Sequence, residues 1–321
     1  MCYTIHDMAK IAQSLTEWYA RAKRPMPWRL APSPYGCWLS EIMMQQTTYA
    51  SVLPYYTRFL ERFPTVEALA AADQQEVLKA WEGLGYYARA RNLHRAAKEI
   101  ASAGRWPATV GEWAAVPGVG PYTAAALASV LDGAPEPVVD GNVARVFARF
   151  WALDDDFHKL PARKKLADRL RTEIAQASVP GDFNQAMMEL GALVCTPANP
   201  ACGDCPLARA CAARKTGAQA DYPRKAARKE LPVRKGLAVV VTDAEGRVLL
   251  VENRDGGLLK GLWELPLVEP GPGQTQVFSH FRLELGTVRA LRADAQFRRP
   301  DEVPLATSTR KVLAACGLVG A

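Results

Sequence analysis

From about residue 7 to residue 212, apolar residues recur every three or four positions. VEALAAADQQEVLKAWEGL and YYARARNLHRAAKEIASAG show the spacing clearly, and it is that of one buried helix face. Glycine and proline interrupt the pattern at Gly83, Gly85, Gly104, Pro107, Gly133, Pro135, Pro161 and Pro180, where helices start or stop. Nothing in this region alternates with the two-residue period of a strand. The pattern predicts a mainly α domain over residues 1–216, built from about ten short helices.

The period changes beyond a basic linker at 217–233. GLAVVVTDAEGRVLLVEN sets two β-branched runs around an Asp-Ala-Glu-Gly turn, which predicts a hairpin. QVFSHFRLELGTVRAL reads as further strand and TSTRKVLAAC as a closing helix, so residues 234–321 are expected to form a small α+β domain. No repeat of solenoid period is present.

The 321 residues allow two domains, and 49% hydrophobic with 23% charged residues is the composition of a soluble globular chain. No apolar run approaches the ~18 residues of a membrane span. The start, MCYTIHDMAKIAQ, lacks the basic and apolar regions of a secretory signal, so a cytoplasmic location and a monomer without membrane contact are expected. Net charge is +7, but residues 214–235 hold eight Lys/Arg against two acids, and the rest is near neutral. A solvated linker explains that run on composition alone, so charge permits an anionic partner without identifying it.

Four of the seven cysteines lie together in CTPANPACGDCPLARAC, spaced Cys195-x6-Cys202-x2-Cys205-x5-Cys211. Four thiols within 17 residues, on loops that bend at Pro and Gly, predict a metal site. A single CxxC flanked by wider gaps suits a four-thiolate iron–sulfur cluster, with zinc the alternative on spacing alone. Cys2, Cys37 and Cys316 read as ordinary small apolar residues.

AAVPGVGPYTAAALASVL predicts two helices around a Pro-Gly-Val-Gly turn, spanning 113–131. Gly118 and Gly120 let the backbone approach a partner, and a helix start offers unpaired N–H groups to a phosphate. Taken alone, the turn is better explained by tight helix packing. Twenty residues beyond Gly120, Asp140 opens a helix in VVDGNVARVFAR, where capping would be role enough. In WLSEIMMQQTT, Glu41 is a lone carboxylate in an uncharged stretch, which by itself suggests a wet helix face.

The order of these pieces resembles the helix-hairpin-helix DNA glycosylases that carry a [4Fe–4S] cluster, nearly throughout residues 7–212. That resemblance implies phosphate contact at Gly118 and Gly120, a catalytic Asp140, and a cluster held by the four cysteines of the 195–211 loop. Endonuclease III-like members place a lysine two residues after the last turn glycine, where it forms a Schiff base and cleaves the strand. Tyr122 stands there instead. PWR at 27–29, PYGCWLSEIMMQQT at 34–47, GLGYYARARNLH at 83–94 and FNQAMMELGALVC at 183–195 are similar to segments of the MutY-type adenine DNA glycosylases.

In that branch the acid of the LSE segment protonates the departing adenine, which maps to Glu41. An adenine anion leaves poorly until it is protonated, and the sugar gains positive charge, so the reaction needs one protonated and one ionised carboxyl. Glu41, in an apolar setting, is expected to have its pKa raised by desolvation, as an acid needs near pH 7, and Asp140, at a helix N-terminus, to stay ionised. Tyr122 is expected to bond Asp140 or the sugar, and Asn142 to orient the water. The resemblance also implies that Gln46 and Tyr86 enter the duplex beside Met44 and Gln45, and that Arg29 and Gln185 read the adenine.

VLLVENRDGGLLKGLWELPLVEPGPG resembles the Nudix fold, but LVEPGPGQTQVF lacks the Arg-Glu and acidic cluster that would hold magnesium. The family's silent version of that domain reads 8-oxoguanine through a Phe-Ser-His loop, matching Phe278, Ser279 and His280. The chain is thus expected to be a monofunctional adenine DNA glycosylase in base-excision repair. Its partner would be duplex DNA with adenine opposite 8-oxoguanine or guanine, reached in the nucleoid if the source is bacterial. An endonuclease III-like glycosylase/lyase for oxidised pyrimidines and an inactive DNA-binding scaffold are the rivals.

Overall fold

The computed structural model describes residues 5–224, 237–238, 240–254, 259–268, 274–277, 282–285 and 295–320. The helices are α1 (Ile5–Ala22), α2 (Pro27–Leu30), α3 (Pro34–Met44), α4 (Tyr49–Arg62), α5 (Val66–Ala71), α6 (Gln74–Ala80), α7 (Ala88–Ala103), α8 (Val110–Ala115) and α9 (Pro121–Asp132). They continue with α10 (Gly141–Trp151), α11 (Leu160–Ile174), α12 (Pro180–Leu193), α13 (Ala212–Lys215) and α14 (Thr307–Ala315). More helices form than the about ten expected, because helices of four residues such as α2 and α13 are too short to show a period of their own. No helix among the described residues is long and apolar enough to cross a membrane.

The chain forms two compact units, Met1–Ile42 with Ala103–Lys229 and Met43–Ser102 with Glu230–Ala321. They do not follow the division of the chain at its basic linker. In the first unit, α12 lies among α1, α9 and α10. Its core gathers Leu15, Tyr19, Phe147, Phe150, Leu166, Leu170, Phe183, Met187 and Leu190, all nearly sealed from water. Burying each of these side chains contributes about 2–3 kcal/mol. The α8–α9 hairpin starts at Val110, earlier than the turn alone suggested, because Thr109 and Glu112 form a reciprocal capping box.

The same core holds Glu173 fully buried on α11, with neither carboxylate oxygen hydrogen-bonded. Burial pushes its pKa up to about 7, partly opposed by Arg169. A carboxyl raised in the folded state favours folding while protonated. Its contribution is therefore full below its unfolded value near 4.5 and is lost as pH rises through about 7. Glu173→Gln is expected to raise Tm by several degrees at pH 8 and by little at pH 5, read by thermal unfolding at both.

In the second unit, β2 (Val248–Glu252) sits between β3 (Trp263–Glu264) and β7 (Gln296–Arg298), antiparallel to both, with Leu249 opposite Phe297 and Val251 opposite Glu264. Two further antiparallel pairs are β1 (Leu237–Ala238) with β4 (Leu267–Val268) and β5 (Gln274–Val277) with β6 (Arg282–Leu285). The predicted turn forms at Asp243–Gly246, with Thr242 bridging Val248. Leu237–Ala238, expected in the same hairpin, pairs with β4 instead. Val248, Leu250, Trp263, Leu305 and Leu313 make this sheet's core, with α14 closing it as predicted. Helix α6 and the turn after it bind the same segment: Lys79 Nζ donates to the carbonyls of Pro300 (3.2 Å) and Val303 (2.8 Å), and Glu82, beyond the helix end, pairs with Arg310 at 2.6 Å. The expected reading loop, Phe278, Ser279 and His280, falls outside the described residues.

Candidate active site

Glu41 projects from α3, one turn after Trp38. Trp38 is sealed, with its ring centroid 6.3 Å from Tyr35 and 5.9 Å from Trp106, which fixes the rotation of the helix. Glu41 is half-buried, not on a wet face. Burial pushes its pKa up to about 7; Arg29 lowers it and Asp140 raises it. The two carboxyls therefore share one site.

Asp140 caps α10: its Oδ1 accepts from the Val143 N–H at 2.7 Å and its Oδ2 from the Asn142 amide at 3.0 Å. Burial raises its pKa, while the N–H groups of Val143 and Asn142, the Asn142 amide and Arg145 pull it down. The helix start acts as expected, but burial outweighs it. Two donors, the Val143 N–H and the Asn142 amide, nonetheless favour the Asp140 anion. Asn142, expected to orient a water, spends its amide on Asp140 and its Oδ1 on Arg145 (2.8 Å). Arg145 in turn donates to the carbonyls of Cys195 (2.8 Å) and Gly191 (2.9 Å).

Close approach of α12 makes that arrangement possible. A Cβ at Gly191 would lie 2.5 Å from Asn142 Cβ and 3.0 Å from its Cα. Gly191→Ala is expected to displace Asn142 and cost about a hundredfold in any chemistry at Asp140. Single-turnover rates at a temperature where the variant is folded would show it.

Tyr122, on α9, lies within the fields of both Glu41 and Asp140, and burial raises its pKa well above the usual value. Its hydroxyl donates to Met188 Sδ at 3.0 Å and not to Asp140, as had been one expectation. Gln185, on α12, accepts from the Tyr19 hydroxyl at 3.0 Å. Arg29 is held by Glu189, which is 1% exposed and also bonds Arg24 at 2.8 Å. Glu189 stays ionised: burial raises its pKa, but the two arginines bring it below the usual value. Tyr19, Arg24, Glu189 and Met188 complete this wall and were not anticipated.

Gly118, at φ +81°, turns the chain between α8 and α9. Gly120 caps α9 in extended backbone, and a Cβ there would meet nothing within 4 Å. The fold does not itself require that glycine. Cys195, Cys202, Cys205 and Cys211 are free thiols around one cavity, with Val146, Phe150 and Leu190 behind them. Arg149, 3% exposed, donates to Cys195 Sγ at 3.4 Å, and Gln219 to Cys202 Sγ at 3.7 Å. Among the described residues no three metal-binding side chains are grouped so as to hold a single ion.

The second unit carries Met44, Gln45, Gln46 and Tyr86. Gln46 (φ +56°) and Tyr86 (φ +51°) adopt left-handed backbone that side chains disfavour by about 1–2 kcal/mol. Tyr86 is 50% exposed, so it is not packed at a helix end.

The family model described as HhH-GPD superfamily base excision DNA repair protein matches residues 39–172. The chain is 35% identical to the adenine DNA glycosylase of Homo sapiens over 331 residues, covering 85% of this chain and 60% of that protein. It is 34% identical to that of Schizosaccharomyces pombe over 330 residues, covering 84% and 71%. It spans less than two thirds of the length of the mammalian relatives it matches. A solved thermostable thymine-DNA glycosylase superposes with a TM-score of 0.59 at 25% identity, covering 66% of this chain and 98% of that one.

Proposed function

The chain belongs to the adenine DNA glycosylase family, and on that premise we propose that it hydrolyses the N-glycosidic bond of adenine opposite 8-oxoguanine or guanine in duplex DNA, leaving the strand intact. The observation that carries this reading is the pair of carboxyls at one site, Glu41 held protonated toward pH 7 by burial and Asp140 held by donors at a helix start.

The chemistry follows from that difference. Glu41 gives its proton to N7 of the extruded adenine as the C1′–N9 bond breaks and its electron pair passes to the base. The Asp140 carboxylate stands against the positive charge left on the sugar. Water then adds to C1′ and releases a proton, which balances the one Glu41 donated. Asn142 fixes the carboxylate through its amide, and Arg145 fixes Asn142. Arg29 and Gln185, oriented by Glu189 and Tyr19, are the groups to read the base. Tyr122 stands where a lyase would need an amine, and its phenol cannot form an imine with the sugar.

Gly120, with open space where a Cβ would be, is suited to a phosphate at the start of α9. Gln46 and Tyr86 would fill the gap left by the extruded base, and Phe278, Ser279 and His280 would read the opposite 8-oxoguanine. The four cysteines would hold a [4Fe–4S] cluster, whose bonds would staple the 195–211 loop. What supports this is that the four thiols line one cavity and that a single CxxC flanked by wider gaps suits a four-thiolate cluster. Arg209, Arg214 and Lys215, all exposed there, would then face phosphate. Metal analysis of the purified protein should find about four iron atoms per chain; zinc without iron would overturn this assignment.

The test of function is a single-turnover reaction on an A:8-oxoguanine duplex labelled on the A strand, half of it then heated in alkali. Breakage only after alkali is expected. Breakage without alkali, strongest on oxidised-pyrimidine duplexes, would transfer the chain to the lyase branch. Tight binding with no breakage in either half would leave a reader of damage.

A further inference from the structure

Arg89 opens α7 with its side chain turned inward, and the residue is only 8% exposed. Its guanidinium spans two turns that lie about 40 residues apart in the chain. On one side, Nη1 donates to the carbonyls of Met43 (2.7 Å) and Gln45 (2.6 Å), and Nη2 to the Thr47 hydroxyl at 3.1 Å. On the other, Nη2 donates to the carbonyls of Leu84 (3.3 Å) and Gly85 (3.1 Å). The rings of Trp81 and Tyr86 flank the group, at 5.4 and 5.3 Å. Trp81 also donates to the Gly85 carbonyl at 3.0 Å.

The residues these contacts bracket are Gln46 and Tyr86, the two side chains read above as entering the duplex. Each sits at a positive φ that its own chemistry disfavours, and such backbone persists only where the surroundings fix it. We propose that Arg89 is a positioning residue that locks the Gln46 and Tyr86 turns into one preset wedge for insertion into DNA; this rests on the function proposed above. A wedge already in its bound shape enters the stack without the loss of freedom that ordering two loops would add. Arginine is suited to the task because its planar fork spreads donors to both sides. An ammonium centre serves one side at a time.

The experiment uses the full chain and an A:8-oxoguanine duplex with 2-aminopurine beside the target adenine, whose fluorescence rises when the stack opens. Arg89→Lys is expected to bind the duplex within about threefold of wild type, lose the fluorescence rise, and excise about 30-fold more slowly. Thr47→Val removes one acceptor and keeps the shape of the side chain. It is expected to lower both the rise and the rate by about threefold, and it decides the matter if Arg89→Lys proves unfolded. A wild-type fluorescence rise in the folded variants would overturn the proposal even if their excision were slow, because slow chemistry with normal opening means damage elsewhere. Wild-type protein that opens the stack but releases no adenine would count against the glycosylase reading and not against the wedge.

Discussion

Glu41→Gln is expected to slow adenine excision by about 10^4-fold at pH 7 while leaving duplex affinity within about threefold. Glutamine has the volume of glutamate and hydrogen-bonds similarly, so α3, fixed by Trp38, should not move. What it lacks is a proton that can pass to N7. With its pKa pushed up to about 7, Glu41 is only partly ionised near neutrality, so the variant adds no buried charge and removes only part of one negative charge facing DNA. Affinity from a catalytically idle titration, beside single-turnover rates, separates binding from chemistry. Unchanged excision would remove Glu41 from the mechanism.

Asp140→Asn should cost about a thousandfold, for the opposite reason. Asparagine caps a helix about as well as aspartate, so the bond from the Val143 N–H survives and Tm should change little. The negative charge facing the sugar does not survive, nor does the acceptor for the Asn142 amide. A folded, DNA-binding, inactive variant is the expected result, judged by Tm, affinity and rate on one preparation. Near-normal rates in that protein would mean that the cationic sugar is stabilised by something else.

How far the site could be read from the chain depended on whether its signal was local. Four cysteines in one loop signal a metal site on their own. Glu41 is a lone acid in the uncharged WLSEIMMQQTT, a local mark that by itself suggests a wet helix face and gains a role only through the resemblance. The same mark was present at Glu189, alone in AMMELGALV, yet its partners Arg24 and Arg29 lie about 160 residues away and only folding brings them to it. The Tyr122–Met188 contact is hidden for the same reason. The expected start at residue 113 missed the Thr109-x-x-Glu112 spacing of a capping box, and that motif marks the true start of the hairpin.

Backbone conformation was the least visible feature. A glycine in a turn announces a positive φ, as Gly118 does, but Gln46 and Tyr86 adopt it with nothing in their own chemistry to say so. The division into units was equally hidden. Lys79 and Glu82 belong to a helical stretch by periodicity, and only their bonds to Pro300, Val303 and Arg310 place them with the C-terminal strands.

The central claim is that two carboxyls in one site hold different charges, and the pH dependence of wild-type excision tests it most directly. Single-turnover rates on an A:8-oxoguanine duplex, measured from pH 5 to 9, should fall above about 7 as Glu41 loses its proton, approaching tenfold per unit. Glu41→Gln should flatten that limb. A wild-type rate that stays level or climbs from pH 7 to 9 would contradict the assignment of Glu41 as the acid.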